Sequence, residues 1–314
     1  METSSTLTDC HAHESDPSSP SLAATQYLLV TAAYNEADHI ERTIESVIAQ
    51  TIRPACWVVV SDGSTDGTDD VIKRYARENS FICFLRVEKS DEHCFAAKVR
   101  ALHHGFAELA GKEYEFIGIL DADISFEANY FETLLSRFAD NPKIGICGGN
   151  IVQDVDGTLE PRVKDMNTVA GAVQFFRKAC FEQTEGFPPL KFGGEDAAIE
   201  TRARMKDWEV RTFPDLQVIH YGIVGEQAGS RLRARFKWGR MNYSLGYHPL
   251  YQIARCAYRS IERPYLLGSL AEVMGFCFQG LSEREPEVDA ELVRFLRREQ
   301  LAKLRSGLFL RRSH

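Results

Sequence analysis

Apolar runs and one-sided helical stripes alternate along most of this chain. YLLVTAA (27–33) is a short, β-leaning apolar run and predicts a buried strand. Behind it, Ile40, Ile44, Val47 and Ile48 recur at i, i+4, i+7 and i+8, the spacing of one helix face. WVVVS (57–61), FICFLRV (81–87), FIGIL (116–120) and IGICGGNIV (144–152) predict further strands. Helices are expected between them, one carrying Val71, Ile72 and Tyr75 and others over about 95–110 and 127–139. Such alternation with short links predicts an α/β fold, a mainly parallel sheet with helices on both faces.

Past residue 153 the pattern changes. Residues 153–170 are polar and irregular, and 171–187 are amphipathic up to a turn at Gly186 before Pro188-Pro189. A helix is expected from Gly194-Glu195-Asp196 to about Asp207. VRTFPDLQVIHYG (210–222) reads as a strand, a proline break and a second strand. From 226 the chain reads as helical and basic, closing with a helix over 287–310.

Composition narrows the classes. The 314 residues carry a net charge of −8, whereas a duplex binder is usually basic, so nucleic acid is not an expected partner. The eight cysteines form no C-x-x-C pair and mostly sit in apolar runs, which reads as reduced, buried cysteine in a cytoplasmic protein. Cys10, His11 and His13 lie in a Ser/Thr/Pro-rich tail, a composition that argues against a metal cluster. Residues 1–25 lack the basic start and apolar core of a secretory signal and read as a disordered leader. The apolar run Tyr265–Leu281 is at the short limit for a membrane span and has Glu272 near its middle. A central carboxylate costs roughly 2.5–3.5 kcal/mol on insertion scales, so a buried or interfacial helix is expected instead.

Three polar clusters fall at strand ends: Tyr34-Asn35-Glu36, Ser61-Asp62-Gly63-Ser64 and Asp121-Ala122-Asp123. Open α/β sheets bind ligands outside the carboxyl ends of their strands, so the three should meet in one crevice. Asp121 and Asp123, two apart after a buried strand, can both reach one cation; Mg²⁺ or Mn²⁺ would share them with substrate phosphates. The same three residues could instead form a solvated turn with an N-cap, and the strand-end position favours the cation. Asp62 reads either as part of a turn and cap or as an acceptor for a base N–H. Asp196, after Gly193-Gly194, reads as an N-terminal helix charge or as a general base toward an acceptor hydroxyl. Lys98 and Arg100 read as a solvated face, or Lys98 as a point charge beside a diphosphate. His220 reads as structural or as a metal ligand.

Taken together, Thr31-Ala32-Ala33-Tyr34-Asn35-Glu36, Ser61 through Thr68, Asp121-Ala122-Asp123 and Gly194-Glu195-Asp196 resemble, in order and separation, the inverting glycosyltransferases of family 2, of bacterial surface-polysaccharide type. The resemblance covers about 26–222 and implies the GT-A fold and transfer of a sugar from a nucleotide-diphosphate donor, UDP favoured, to an acceptor hydroxyl. It implies donor contacts from Thr31, Ala33, Tyr34, Glu36, Asp62, Lys98, Asp121, Ala122 and Asp123. A divalent metal (Mn²⁺ or Mg²⁺) would sit on Asp123, Asp121 and His220, with Asp196 as catalytic base and Glu195 and Gly194 on the acceptor side. The Arg235-Phe236-Lys237-Trp238-Gly239-Arg240 stretch departs from the family's Gln-x-x-Arg-Trp pattern, which fits a single-addition enzyme rather than a processive one. A sugar-phosphate nucleotidyltransferase would want a basic, Gly-rich first loop, and TAAYNEADH is acidic. A non-catalytic nucleotide-sugar scaffold would not need the Asp121/Asp123/Asp196 set.

The expected organisation is a leader (1–25), a catalytic domain (26–225) with a nucleotide-binding half (26–152) and an acceptor half (153–225), and a basic helical region (226–314). The last interleaves Arg/Lys with aromatics, a composition suited to peripheral contact with an anionic bilayer. The same composition could instead grip the donor diphosphate or pack on the catalytic domain; a cytoplasmic protein at the inner face of the cell membrane, with a saccharide or lipid-linked acceptor, is the expectation that the resemblance favours.

Overall fold

The computed structural model describes residues 25–88, 96–155, 158–161, 165–221, 231–260 and 265–306. Residues 1–24 of the expected leader, with Cys10, His11 and His13, and also Cys94 and Glu226 lie outside these described residues. The parallel half is built from β1 (Tyr27–Ala33), β2 (Cys56–Asp62), β3 (Ile82–Val87) and β4 (Phe116–Leu120). They lie in the order β3-β2-β1-β4 and are connected by α1 (Ile40–Ile48), α2 (Thr68–Glu78) and α3 (Ala96–Glu108). Burial explains the continuous apolar strands: Leu28 to Val30 and Trp57 to Val60 are covered on both faces. Ile40, Ile44 and Val47 of α1 point into the same core, while Ile48 is only packed against it.

The second half adds β5 (Ile124–Phe126), α4 (Tyr130–Asp140), β6 (Ile144–Val155), β7 (Thr158–Pro161), β8 (Phe175–Arg177), α5 (Lys178–Gln183), α6 (Glu195–Met205) and β9 (Glu209–His220). The mixed sheet runs β3-β2-β1-β4-β8-β6-β9-β5, with β7 paired to β6. β8 is antiparallel to both β4 and β6, and β9 is parallel to β6. Only Asp121, Ala122 and Asp123 separate β4 from β5, yet β5 pairs with β9, three strands from β4 in the order. The sheet therefore curls until the end of β9 passes over the tip of β4. Two expectations are corrected here. The amphipathic stretch 171–187 divides into a loop, β8 and α5, because Phe175 and Phe176 are claimed by pairing with β4 and β6. The proline at 214 does not end a strand: β9 runs through it, and the register slips between Gly149 and Asn150 opposite the break.

Among the described residues, α7 (Arg231–Ser244), α8 (Pro249–Arg259), α9 (Tyr265–Ser282) and α10 (Ala290–Arg305) follow. Asp289 caps α10 by accepting the Leu292 N–H at 2.8 Å. Glu272 of α9 is fully buried and meets Arg235 at 3.4 Å and Arg255 at 3.1 Å. The apolar run is thus a helix packed by one face, and among the described residues no helix is long and apolar enough to cross a membrane.

Candidate active site

The first wall of the crevice is two loops clasped together. Asn35 takes a φ of 54°, a left-handed conformation that asparagine tolerates, and this turns the chain back after β1. The Asn35 N–H donates to Ser64 Oγ (3.1 Å), the Glu36 N–H to Thr68 Oγ1 (2.8 Å) and the Ala37 N–H to Asp66 Oδ2 (3.0 Å). Asp66 also accepts from the N–H and hydroxyl of Thr68. Much of Ser64–Thr68 is therefore committed to holding the loops, and Asp62 stands half-buried at the end of β2. Tyr34 is exposed beside it, and Ala33 is buried. Thr31 stands apart. It is fully buried, and its hydroxyl accepts the Trp57 indole N–H at 3.0 Å, so its side chain braces β1 against β2.

The second wall depends on β5. Ile124 pairs with His220, and the Tyr221 N–H donates to the Asp123 carbonyl at 2.8 Å, so the end of β9 is tied to the tip of β4. As a result Asp121, Asp123 and His220 each offer a ligand atom within 4.8 Å of the others. His220 Nε2 lies 3.6 Å from Asp123 Oδ2. Burial and then the Asp121 charge hold the Asp123 carboxyl above its ordinary value. Burial, Asp123 and Asp121 likewise push Glu36 up to about 7, which places the first loop in the field of the same cluster. Two carboxylates and an imidazole, converging where negative charge is under-compensated, fit a divalent cation.

Lys98 of α3 crosses to this point, its Nζ 2.5 Å from Asp121 Oδ1. Burial alone would lower its pKa, but Asp121, Glu195 and Asp196 outweigh it and hold the ammonium above its usual range. One lysine therefore lies in the field of both the β4 tip and the start of α6. Gly193 and Gly194 take φ of 86° and 93°, and this left-handed turn launches α6 with Glu195 and Asp196 in its first turn. Burial raises both of these carboxyls; Asp196 raises Glu195 further, and the Ala197 N–H and Lys98 partly offset the rise at Asp196.

Beside Asp196 runs the segment 168–174, which the sequence pattern did not mark. A Cβ on Gly171 would lie 2.9 Å from Asp196 Oδ2, so only glycine lets the two touch. Ala172 and Gln174 carbonyls accept from the Asp121 and Ile119 N–H groups at 3.0 and 2.9 Å, fixing the segment to β4. Its other side is held by Glu200. That buried carboxylate accepts from Thr168 Oγ1 (2.7 Å), the Val169 N–H (2.6 Å) and Gln174 Nε2 (3.2 Å), and burial pushes it up to about 7. Glu200 lies one helical turn after Asp196; that i, i+4 spacing was the available signal, but a glutamate inside a helix ordinarily reads as solvent-facing.

A family model described as glycosyl transferase family 2 matches residues 28–196. Poly-beta-1,6-N-acetyl-D-glucosamine synthase of Staphylococcus aureus (strain MSSA476) is 25% identical over 230 residues, covering 67% of this chain and 52% of that protein. The Staphylococcus epidermidis protein of the same name is 23% identical over 228 residues, with the same coverage. The chain thus spans about half the length of these curated relatives. Among solved structures, a mannosyltransferase from Pyrobaculum calidifontis in complex with GDP-Man and Mn²⁺ aligns with TM-score 0.53 and 18% identity, covering 95% of this chain and 84% of that one. S. aureus TarS 1–349 in complex with UDP-GlcNAc aligns with TM-score 0.50 and 16% identity, covering 68% and 66%. These likenesses bear on the fold, which is GT-A.

Proposed function

The chain belongs to glycosyl transferase family 2, and from that premise we propose that it is an inverting, metal-dependent glycosyltransferase using a nucleotide-diphosphate sugar. The carrying observation is the meeting of Asp121, Asp123 and His220 at one point, with Lys98 spanning from there to the field of Asp196. A UDP-sugar is the favoured donor, UDP-GlcNAc first, because the S. aureus relative is named for poly-β-1,6-N-acetyl-D-glucosamine and TarS was solved with UDP-GlcNAc.

In this reading Ala33, Tyr34, Glu36 and Asp62 surround the base and ribose, and Ala122 lines the floor between its neighbouring aspartates. Asp121, Asp123 and His220 hold Mn²⁺ or Mg²⁺, which when bound supplies Lewis-acid neutralisation at the departing diphosphate. Lys98 balances Asp121 and adds positive charge beside the phosphates. Asp196 removes the acceptor proton while that oxygen bonds to the anomeric carbon from the face opposite the diphosphate. The sugar–phosphate C–O bond breaks with its electron pair leaving on the diphosphate, so configuration inverts in one displacement. A base with a raised pKa in a buried setting is suited to this proton transfer. Glu195 and Gly194 border the acceptor, which is a saccharide or a lipid-linked sugar in polysaccharide or glycolipid synthesis. As functional parts, though not as separately folding units, a catalytic region (26–225) and a basic helical region (226–314) belong to the same proposal.

The test is a thermal-shift panel of UDP-, GDP-, dTDP- and CDP-sugars with and without Mn²⁺. Stabilisation by one donor, larger with the metal, is expected. Indifference to every donor in both conditions overturns the reading.

A further inference from the structure

α9 is packed with its polar side inward and its apolar side outward. A Cβ on Gly275 would lie 2.0 Å from the Phe236 carbonyl oxygen, and one on Gly239 would lie 1.9 Å from the Glu272 carbonyl oxygen, so the α7 and α9 backbones touch. On that inner side Glu272 is fully buried among arginines, and Gln279 is buried and accepts from Arg240 Nε at 2.8 Å. The outer side carries Leu266, Leu270, Met274, Phe278 and Leu281, exposed by 50–87%. They recur every three or four positions along a helix about 27 Å long. No charged residue interrupts them, since Glu272, the one ionisable carboxylate of α9, points in. Leu250 and Ile253 of α8 are exposed as well. A contiguous apolar surface of this kind marks an interaction site.

Charge selects the occupant. α7 and α8 carry seven Arg/Lys and no acidic residue, in a chain of net charge −8; three of them, Arg235, Arg255 and Arg259, face the buried Glu272. Arg231, Arg233 and Lys237 are exposed. A second copy docked face to face would bring two such cationic sets together, whereas an anionic lipid surface complements both the apolar stripe and its basic flank.

We propose that the outer face of α9, flanked by the cations of α7, docks on an anionic bilayer surface. The face connects to the proposed acceptor side by direct contacts: Arg240 lies over the Phe278 ring at 5.5 Å and over Phe192 at 4.1 Å, and Phe192 immediately precedes the Gly193-Gly194 turn into Asp196. Lipid docking on α9 would hold that turn near a lipid-anchored acceptor. This purpose rests on the glycosyltransferase reading; the docking does not, and its test needs no turnover.

The test is flotation of the full chain with phosphatidylglycerol–phosphatidylcholine vesicles and with phosphatidylcholine vesicles alone, beside light scattering without lipid. Binding is expected to the anionic vesicles, roughly tenfold tighter than to the neutral ones. Leu266→Glu/Met274→Glu should lose this binding roughly tenfold with an unchanged melting temperature; Leu266→Ser/Met274→Ser serves if the charged pair lowers it. Arg231→Gln/Lys237→Gln should lose the preference for anionic lipid. Three results overturn the proposal: a wild type that ignores both vesicles, a double variant that binds as well as wild type, or a lipid-free dimer that the double variant dissolves. The last would give the face to a second copy. Vesicle binding without donor stabilisation would sink the enzymatic reading and leave the docking standing.

Discussion

Asp196 lies against Gly171 on one side and in the field of Lys98 on the other, so its carboxylate is placed by neighbours on two different segments. Asp196→Asn keeps the volume and removes the base. Transfer should fall by about 10²–10⁴-fold while donor-dependent thermal stabilisation persists, and steady-state rates beside thermal shifts on the same preparation check this. Asp123→Ala should instead erase the Mn²⁺-dependent part of donor binding, read by titration calorimetry. Glu200 carries a third expectation. Its folded pKa, about 7, lies above its ordinary 4.5, so the stability it contributes is complete below pH 4.5 and is lost as pH rises through 7. The whole interval corresponds to roughly 3 kcal/mol. Glu200→Gln should therefore gain on wild type between pH 5 and pH 8, measured as the change in unfolding free energy by urea titration. A variant whose deficit grows over that range contradicts the assignment. The aspartates were legible because they end apolar runs. Glu200 and Gln174 were not, because they act only once β4, α6 and the 168–174 segment come together.

At the level of elements, local pattern located the parallel strands β1 to β4 almost residue for residue, because β1, β2 and β4 are continuous apolar runs buried on both faces and the edge strand β3 is largely apolar as well. It failed where a segment's state is set by a distant partner. β5 is only Ile124–Phe126, too short for periodicity to register, and it exists because β9 is there to pair with it. β8 was hidden inside an amphipathic stretch for the same reason. β9 hid the other way: Pro214 argued for a break, and a register slip let the ladder continue. These short, tertiary-dictated strands bring His220 to Asp123, so the Asp121/Asp123/His220 cluster was legible as residues and not as geometry. The α7–α9 crossing is a further case. Its two glycines, Gly239 and Gly275, are the contact. Gly275→Val would drive a side chain into the α7 backbone, with an expected loss of about 1–3 kcal/mol or more, visible in thermal unfolding.

For the whole molecule, the C-terminal helices pack against the loop before α6 and against α6 itself. The sequence places a boundary near 225, where composition turns basic. The packing argues that folding does not respect it. Leu190 and Ala198, from the loop before α6 and from α6 itself, share a buried cluster with Leu245, Leu292, Val293 and Leu296. Around it the Lys191 N–H donates to Glu287 at 2.8 Å, Arg204 pairs with Glu299 at 2.9 Å, and Lys303 pairs with Asp165 at 3.1 Å. The exposed ion pairs contribute little, about 0–1 kcal/mol each. The cluster decides the matter, since each buried aliphatic side chain is worth about 1.5–3 kcal/mol. Stripping the partners of Leu190 and of the α6 face, together with the Leu245 layer over Gly194, removes several such contributions from a domain whose net stability is about 5–15 kcal/mol. A chain ending at residue 225 should accordingly unfold at markedly lower temperature than the full chain, expose apolar surface to a hydrophobic dye, and lose donor stabilisation because the Gly194 turn is unsupported. A truncated protein that melts with the full chain and still responds to donor and Mn²⁺ would show instead that the helices are an attachment, and that α6 holds Asp196 without them.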